Sequence, residues 1–174
     1  MAMNLQDTDF ELFGVPSTFL QDRAALDARW KELQREAHPD RFISQGAAAQ
    51  RIAMQWSVRI NEAYQRLKEP VRRASYLCEL NGAPIHAEDN TAMPGDFLMQ
   101  QMEWRESLDD ASEAGAIDAL QAEVDAARAR ALSSLDWLID EKADYQAASQ
   151  QVRALMFIER FAQDVEAKAD ALGQ

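Results

Sequence analysis

A histidine, a proline and a carboxylate stand in succession at His38-Pro39-Asp40, followed directly by Arg41, and no other residues of this 174-residue chain say as much about function. An imidazole titrates near neutral pH and a neighbouring carboxylate can orient it, so His38 and Asp40 could form an acid/base pair. The rest of the chain lends that reading little. No serine or cysteine sits in a nucleophile motif, no Gly-rich phosphate loop appears, and with two histidines and one cysteine a metal site would have to recruit carboxylates. Two other readings remain at the level of these residues. Pro39 could stop a helix with His38 and Asp40 merely filling the turn, or the three could form an exposed, rigid contact loop.

The elements around the tripeptide bear on that choice. Composition points to an all-α chain: Gly and Pro number six and five, Ala, Leu, Glu, Gln and Arg are abundant, β-branched residues are few, and no segment reads as a strand. Asp22 can cap a helix whose Leu26, Trp30, Leu33 and Ala37 share one face, ended by Pro39. On that helix Lys31 and Arg35 lie ~140° and ~180° from Leu26, away from the core. With Arg41 they give the loop a flanking set of cations suited to a carboxylate-rich partner. Ser44 and Gly46 continue the loop. Periodicity then resumes at Ile52, Trp56, Ile60, Ala63 and Leu67 until Pro70, which can open a short helix through Leu80. Asn81-Gly82 makes a stop.

Charge separates the chain into two parts. Residues 1–80 hold 11 basic and 11 acidic side chains, whereas residues 81–174 hold 7 and 19 and so carry the whole net charge of −12. The expected organisation is a first module over 1–80, a Pro- and Gly-containing connection over 81–95 that includes the loop residue His86, and a second module over 96–174. The second module reads as a three-helix antiparallel bundle. Asp96 can cap its first helix, and Gly115 separates that helix from one carrying Ile117, Leu120, Val124, Ala127, Ala131, Leu135 and Leu138. After a polar break at 140–144, a last helix carries Ala148, Val152, Leu155, Ile158, Ala162, Val165 and Leu172 on one inward face.

The first helix of the bundle has two faces. With Phe97 as the origin, Trp104, Leu108 and Ala111 fall at ~340°, ~20° and ~320°, enough to anchor it. Leu98, Met102 and Met99 fall at ~100°, ~140° and ~200°, with Glu106, Asp110 and Glu103 at ~180°, ~220° and ~240°. Large apolar side chains among carboxylates suit a partner that is part apolar and part basic, or a packing contact with another helix or the first module. Phe157, ~200° from Leu155 on the last helix, is off the inward stripe and reads as interface or interdomain filler.

Several functions are disfavoured. An acidic second half lacks the cations that phosphate backbones or anionic membranes require, so neither nucleic acid nor membrane is expected as a partner there. The single Cys78, in an apolar stretch, rules out an intramolecular disulfide and suits a reducing compartment. No apolar run approaches the ~20 residues of a bilayer span, and the first 22 residues contain no Lys or Arg, unlike a secretory or transit signal. The expected location is cytoplasmic.

Helix, His-Pro-Asp, helix is the signature of the J-domain. The text Leu33-Gln-Arg-Glu-Ala-His-Pro-Asp-Arg-Phe42, with Asn61-Glu-Ala-Tyr64 and Leu67-Lys-Glu-Pro-Val-Arg-Arg-Ala74, resembles it, as does the opening Asp9-Phe-Glu-Leu-Phe-Gly-Val-Pro16. One departure is Ala37, where many J-domains have an aromatic residue. Over nearly its whole length the chain is similar to the HscB-type co-chaperones of iron-sulfur cluster biogenesis, an N-terminal J-domain joined to a C-terminal three-helix bundle. Phe97 to Asp109 looks like that family's scaffold-binding helix and Arg153-Ala-Leu-Met-Phe157 like its aromatic-bearing segment.

The resemblance implies that His38, Pro39, Asp40, Lys31, Arg35 and Arg41 contact a heat-shock ATPase chaperone of the HscA or DnaK type and trigger its hydrolysis. It implies likewise that Leu98, Met99, Met102, Glu103, Glu106, Asp110 and Phe157 contact an IscU-type cluster scaffold. The chain would be no enzyme and would hold no metal or cofactor of its own, since the cysteine-rich extension of some relatives is missing. A J-domain adaptor for a different client is the alternative.

Overall fold

The computed structural model describes residues 4–86 and 92–173, and every element among them is helical. The elements are α1 (Asp9–Phe13), α2 (Arg23–Glu36), a 3-10 turn (Pro39–Gln45), α3 (Ala47–Lys68), α4 (Pro70–Leu80), α5 (Gly95–Asp110), α6 (Ala114–Asp136), a π turn (Trp137–Glu141) and α7 (Tyr145–Leu172). The chain divides into two compact units, Met1–Arg73 and Ala74–Gln174. The division falls inside α4, whereas the sequence ends its first module at residue 80.

In the first unit α2 and α3 form a hairpin that α1 closes. Asp22 caps α2 as expected, its Oδ1 accepting from the Ala24 and Ala25 amides. Leu26, Leu33 and Ala37 of the α2 side and Ile60, Ala63 and Leu67 of α3 are buried, joined by Phe10 and Phe13 of α1. Ile52 departs from expectation and is 56% exposed, while Ala53 is buried in its place. At about 100° per residue, Ala53 lies only ~20° from Ile60 whereas Ile52 lies ~80° off, outside the inward stripe. Trp30 is half-buried and stacks on Tyr64, with centroids 4.8 Å apart. The Tyr64 hydroxyl donates to Asp27 Oδ1 at 2.5 Å, and that bond, with a second from Arg23, holds the Asp27 carboxyl below its usual range.

One ionic cluster of the unit centres on a buried carboxylate. Asp9, with no accessible surface, accepts from Arg66 Nε at 2.6 Å on Oδ2 and from Arg66 Nη2 at 2.9 Å on Oδ1, and Arg59 Nη1 stands 2.8 Å from that same Oδ1. A buried carboxylate between two guanidiniums ties α1 to α3 with a directional bond that apolar packing alone does not provide. Arg73 is buried too, donating to the carbonyls of Phe19 and Leu67, each at 2.6 Å.

In the second unit α6 and α7 pack along their length and α5 lies beside them. The end of α4 follows the predicted stop: Gly82 has φ +79° and the Ala83 amide donates to the Cys78 carbonyl at 2.8 Å. Of the connecting residues, Ala83 and Ile85 are buried, and 87–91 lie outside the described residues. Three expectations need correction. Asp96 does not cap α5; Pro94 occupies the cap position without a side-chain bond, and Asp96 sits in the first turn, where a carboxylate favours the helix dipole. Gly115 lies within the first turn of α6, and the break comes just before, at 111–113. The inward stripe of α6 runs as expected from Ile117 to Leu135, but the next buried residue is Ile139, not Leu138. The π turn inserts one residue into the helical repeat and moves the inward position on by one.

On α7, capped by Asp144 through the Ala147 amide, Ala148, Val152, Leu155, Ile158 and Val165 are buried as expected. Phe161 fills the core position assigned to Ala162, which is half-buried, and Leu172 is exposed near the helix end.

Candidate functional sites

The first site is the turn between α2 and α3. His38 has φ −63° and ψ 129°, the extended conformation that a following proline imposes, and Pro39 opens the 3-10 turn. The imidazole caps that turn: Nδ1 accepts from the Asp40 amide at 3.2 Å. Asp40 Oδ2 is 3.7 Å from the same nitrogen, too far for a hydrogen bond, and both side chains are exposed. The pair therefore lacks both the carboxylate-imidazole bond and the enclosing walls of an acid/base dyad.

The turn is held from below and behind. Ser57 Oγ donates to the Ala37 carbonyl at 3.2 Å and Gln34 Nε2 to the Ser57 carbonyl at 3.3 Å, buckling α2 to α3 under the loop. Arg41 Nη1 donates to the Arg35 carbonyl at 3.3 Å, placing a cation on the C-terminal end of α2. Lys31 and Arg35 are exposed on the same helix. Ala37 is buried, so the position where an aromatic was missing is filled by a small residue inside a closed contact.

The second site is the outward face of α5. Trp104, Leu108 and Ala111 are buried and Phe97 is half-buried, so the anchoring face is as expected. Leu98, Met99 and Met102 are 48, 67 and 74% exposed, so no neighbouring helix of the unit packs over them. Glu103, Glu106 and Asp110 are exposed with them. Phe157 is placed differently: it is half-buried, edge-on to Phe97 at 5.8 Å, stacked on Phe161 at 5.9 Å and covered by the Arg105 guanidinium at 5.7 Å. It thus belongs partly to the aromatic seam between α5 and α7, which Trp104 extends by stacking on Phe161 at 5.4 Å.

Arg105, bridged to Asp164 at 2.9 Å, lies within the stretch Phe97 to Asp109 but has no role that the sequence marks. Its rarity is the available signal, since the half beyond residue 80 has only 7 basic residues. Among the described residues no three His, Cys, Asp or Glu side chains converge on a metal-sized space, and no helix is long and apolar enough to cross a membrane.

Comparison with known proteins agrees with this architecture. Residues 93–166 match the family described as HSCB C-terminal oligomerisation domain. The co-chaperone protein HscB homolog of Burkholderia multivorans is 53% identical over 174 residues, covering 98% of each chain. The homolog of Bordetella pertussis is 49% identical, covering 92% of this chain and 95% of its own. Among solved structures, the chaperone HscB from Vibrio cholerae superposes with a TM-score of 0.80 at 35% identity, covering 95% of this chain and 99% of that one. The human co-chaperone protein HscB superposes with a TM-score of 0.86 at 25% identity, covering 97% and 85%. With half its residues shared along almost its full length, and with a J-domain followed by a helical bundle, the chain belongs to the HscB family of co-chaperones.

Proposed function

We propose that the chain is a two-ended adaptor of iron-sulfur cluster assembly. The His38-Pro39-Asp40 turn, with Lys31, Arg35 and Arg41, docks on the ATP-bound form of an HscA- or DnaK-type heat-shock ATPase and promotes hydrolysis. The outward face of α5, with Leu98, Met99, Met102, Glu103, Glu106 and Asp110 and the exposed part of Phe157, holds an IscU-type scaffold whose cluster is the cargo. Promotion of hydrolysis is differential binding: the turn must favour the hydrolysis-competent ATPase, and each ~1.4 kcal/mol of preference is worth about tenfold. A proline-fixed turn capped by its own histidine is suited to this because little order remains to be imposed on contact.

The observation that carries the proposal is the α5 face. Three large apolar side chains stay in solvent although the same helix buries a separate set, and carboxylates rim them. Adaptable methionines within an acidic rim fit a surface that is apolar at its centre and basic at its edge. Calorimetric titration of the scaffold into this protein and into its Met99→Ala/Met102→Ala variant tests it. Binding should weaken by about tenfold to a hundredfold, as for loss of two interface anchors. Equal affinity for both proteins would remove the scaffold from this face.

A further inference from the structure

The helix that carries the proposed scaffold face is poorly secured by its own sequence. It opens with Pro94-Gly95 and no side-chain cap, and α6, with α7, forms a closer pair than α5 does with either. Gly costs helix stability and an uncapped first turn frays. α5 lies beside α6, and its side-chain hydrogen bonds, ion pair and ring contacts run to α7 with a nearly constant offset. Ala92 meets Arg153, Phe97 meets Phe157, Arg105 meets Asp164 and Leu108 meets Lys168. The two helices therefore run parallel and in register over about 22 Å.

Both ends of that register are closed by a cation on backbone carbonyls. Arg153 is buried, and instead of pairing with a carboxylate it donates through Nε to the Ile85 carbonyl at 3.0 Å and through Nη1 to the Ala92 carbonyl at 2.9 Å. It thus draws together the two ends of the segment leading into α5. At the far end Lys168 Nζ donates to the Leu108 carbonyl, which also accepts the Ala111 amide at 3.3 Å, and to that of Asp109 at 3.2 Å, placing a cation on the C-terminal end of α5.

We propose that Arg153 and Lys168 are positioning residues for scaffold recognition. From α7 Arg153 holds the segment that enters α5, at Ala92, and Lys168 holds the carbonyls at its C-terminal end, so that Leu98, Met99 and Met102 meet the partner on a helix already ordered along its length. Neither side chain need touch the partner. The inference rests on the scaffold reading given above.

The test uses the full chain as Arg153→Lys, Lys168→Met and Lys168→Arg, with scaffold affinity by titration and amide hydrogen exchange read on each free protein. Arg153→Lys keeps the charge but offers one ammonium to two carbonyls; Lys168→Met keeps the aliphatic stem and removes the donor. Each should weaken scaffold binding by about threefold to tenfold, through the order that must then be imposed on contact. Exchange protection should fall in the terminal turns of α5 while the interiors of α6 and α7 are unchanged, and Lys168→Arg should restore both. Unchanged affinity with α5 frayed would overturn the proposal, as would protection lost evenly through α5, α6 and α7, which would make the clamps merely structural. Absence of scaffold binding by the unaltered chain, read first, would overturn the functional reading itself and is thereby distinguishable.

Discussion

The imidazole of His38 faces its own turn, with Nδ1 taken by the Asp40 amide, which leaves Nε2 and the exposed carboxylate of Asp40 as the groups offered outward. His38→Gln should therefore leave the protein folded, costing at most the turn's cap, about 0.5–2 kcal/mol, and remove stimulation of the ATPase. Asp9 is the opposite kind of residue. Asp9→Asn leaves Arg59 and Arg66 facing a neutral group in a closed space, and urea denaturation should show a loss of about 3–5 kcal/mol.

Cys78 gives a pH dependence. Burial pushes its thiol up to about 11 from 9.0, partly opposed by the nearby Arg153 charge. The folded state then holds the proton more tightly than the unfolded one. This contribution is complete below about pH 9 and is lost as pH rises through about 11, on the order of 3 kcal/mol in all. Denaturation midpoints of the unaltered chain and Cys78→Ala should diverge across that window, and a constant difference would contradict the assignment. The His-Pro-Asp tripeptide and the buried cysteine were legible in the sequence because each is a local pattern. The Asp9 triad and Arg153 were not, because their partners lie 50 to 68 residues away in sequence.

Element by element, periodicity read the helices well wherever the repeat is unbroken. The stripes Leu26 to Ala37, Ile60 to Leu67, Ile117 to Leu135 and Ala148 to Ile158 face inward as the spacing requires, with Trp30 half-buried among them. The misses have separate causes: Leu138 falls at the π turn, Leu172 at the end of α7, and Ile52 and Ala162 lie beside the inward stripe, which Ala53 and Phe161 fill. Ile139→Ala should accordingly cost about 2–5 kcal/mol and Leu138→Ala clearly less, a reversal of what an uninterrupted heptad predicts, readable by thermal denaturation. The face of α5 was legible because wheel angles need no partner, but Phe157 was only half so. Its ring lies in the seam with Phe97 and Phe161, so Phe157→Ala should weaken scaffold binding and also destabilise the second unit. Leu98→Ala and Met102→Ala, being exposed, are the cleaner probes of binding.

At the scale of the whole molecule, the uneven charge is the feature on which the proposed adaptor rests. A first part with balanced charge presents Lys31, Arg35 and Arg41 around the turn, and an acidic second part presents carboxylates around apolar side chains. Each end is suited to a partner of the other's sign, which keeps the two partners from competing for one surface. Two separable losses follow: His38→Gln should abolish stimulation with scaffold affinity intact, and Met99→Ala/Met102→Ala should do the reverse.

The most direct measurement is steady-state ATP hydrolysis by the cognate heat-shock ATPase, with and without the iron-sulfur scaffold, on adding this protein or its His38→Gln variant. A two-ended adaptor predicts stimulation by the protein, a further synergistic rise with the scaffold present, and loss of both with His38→Gln. Stimulation indifferent to the scaffold would assign the acidic bundle to another client, and stimulation that survives His38→Gln, or none at all, would contradict the account at its centre.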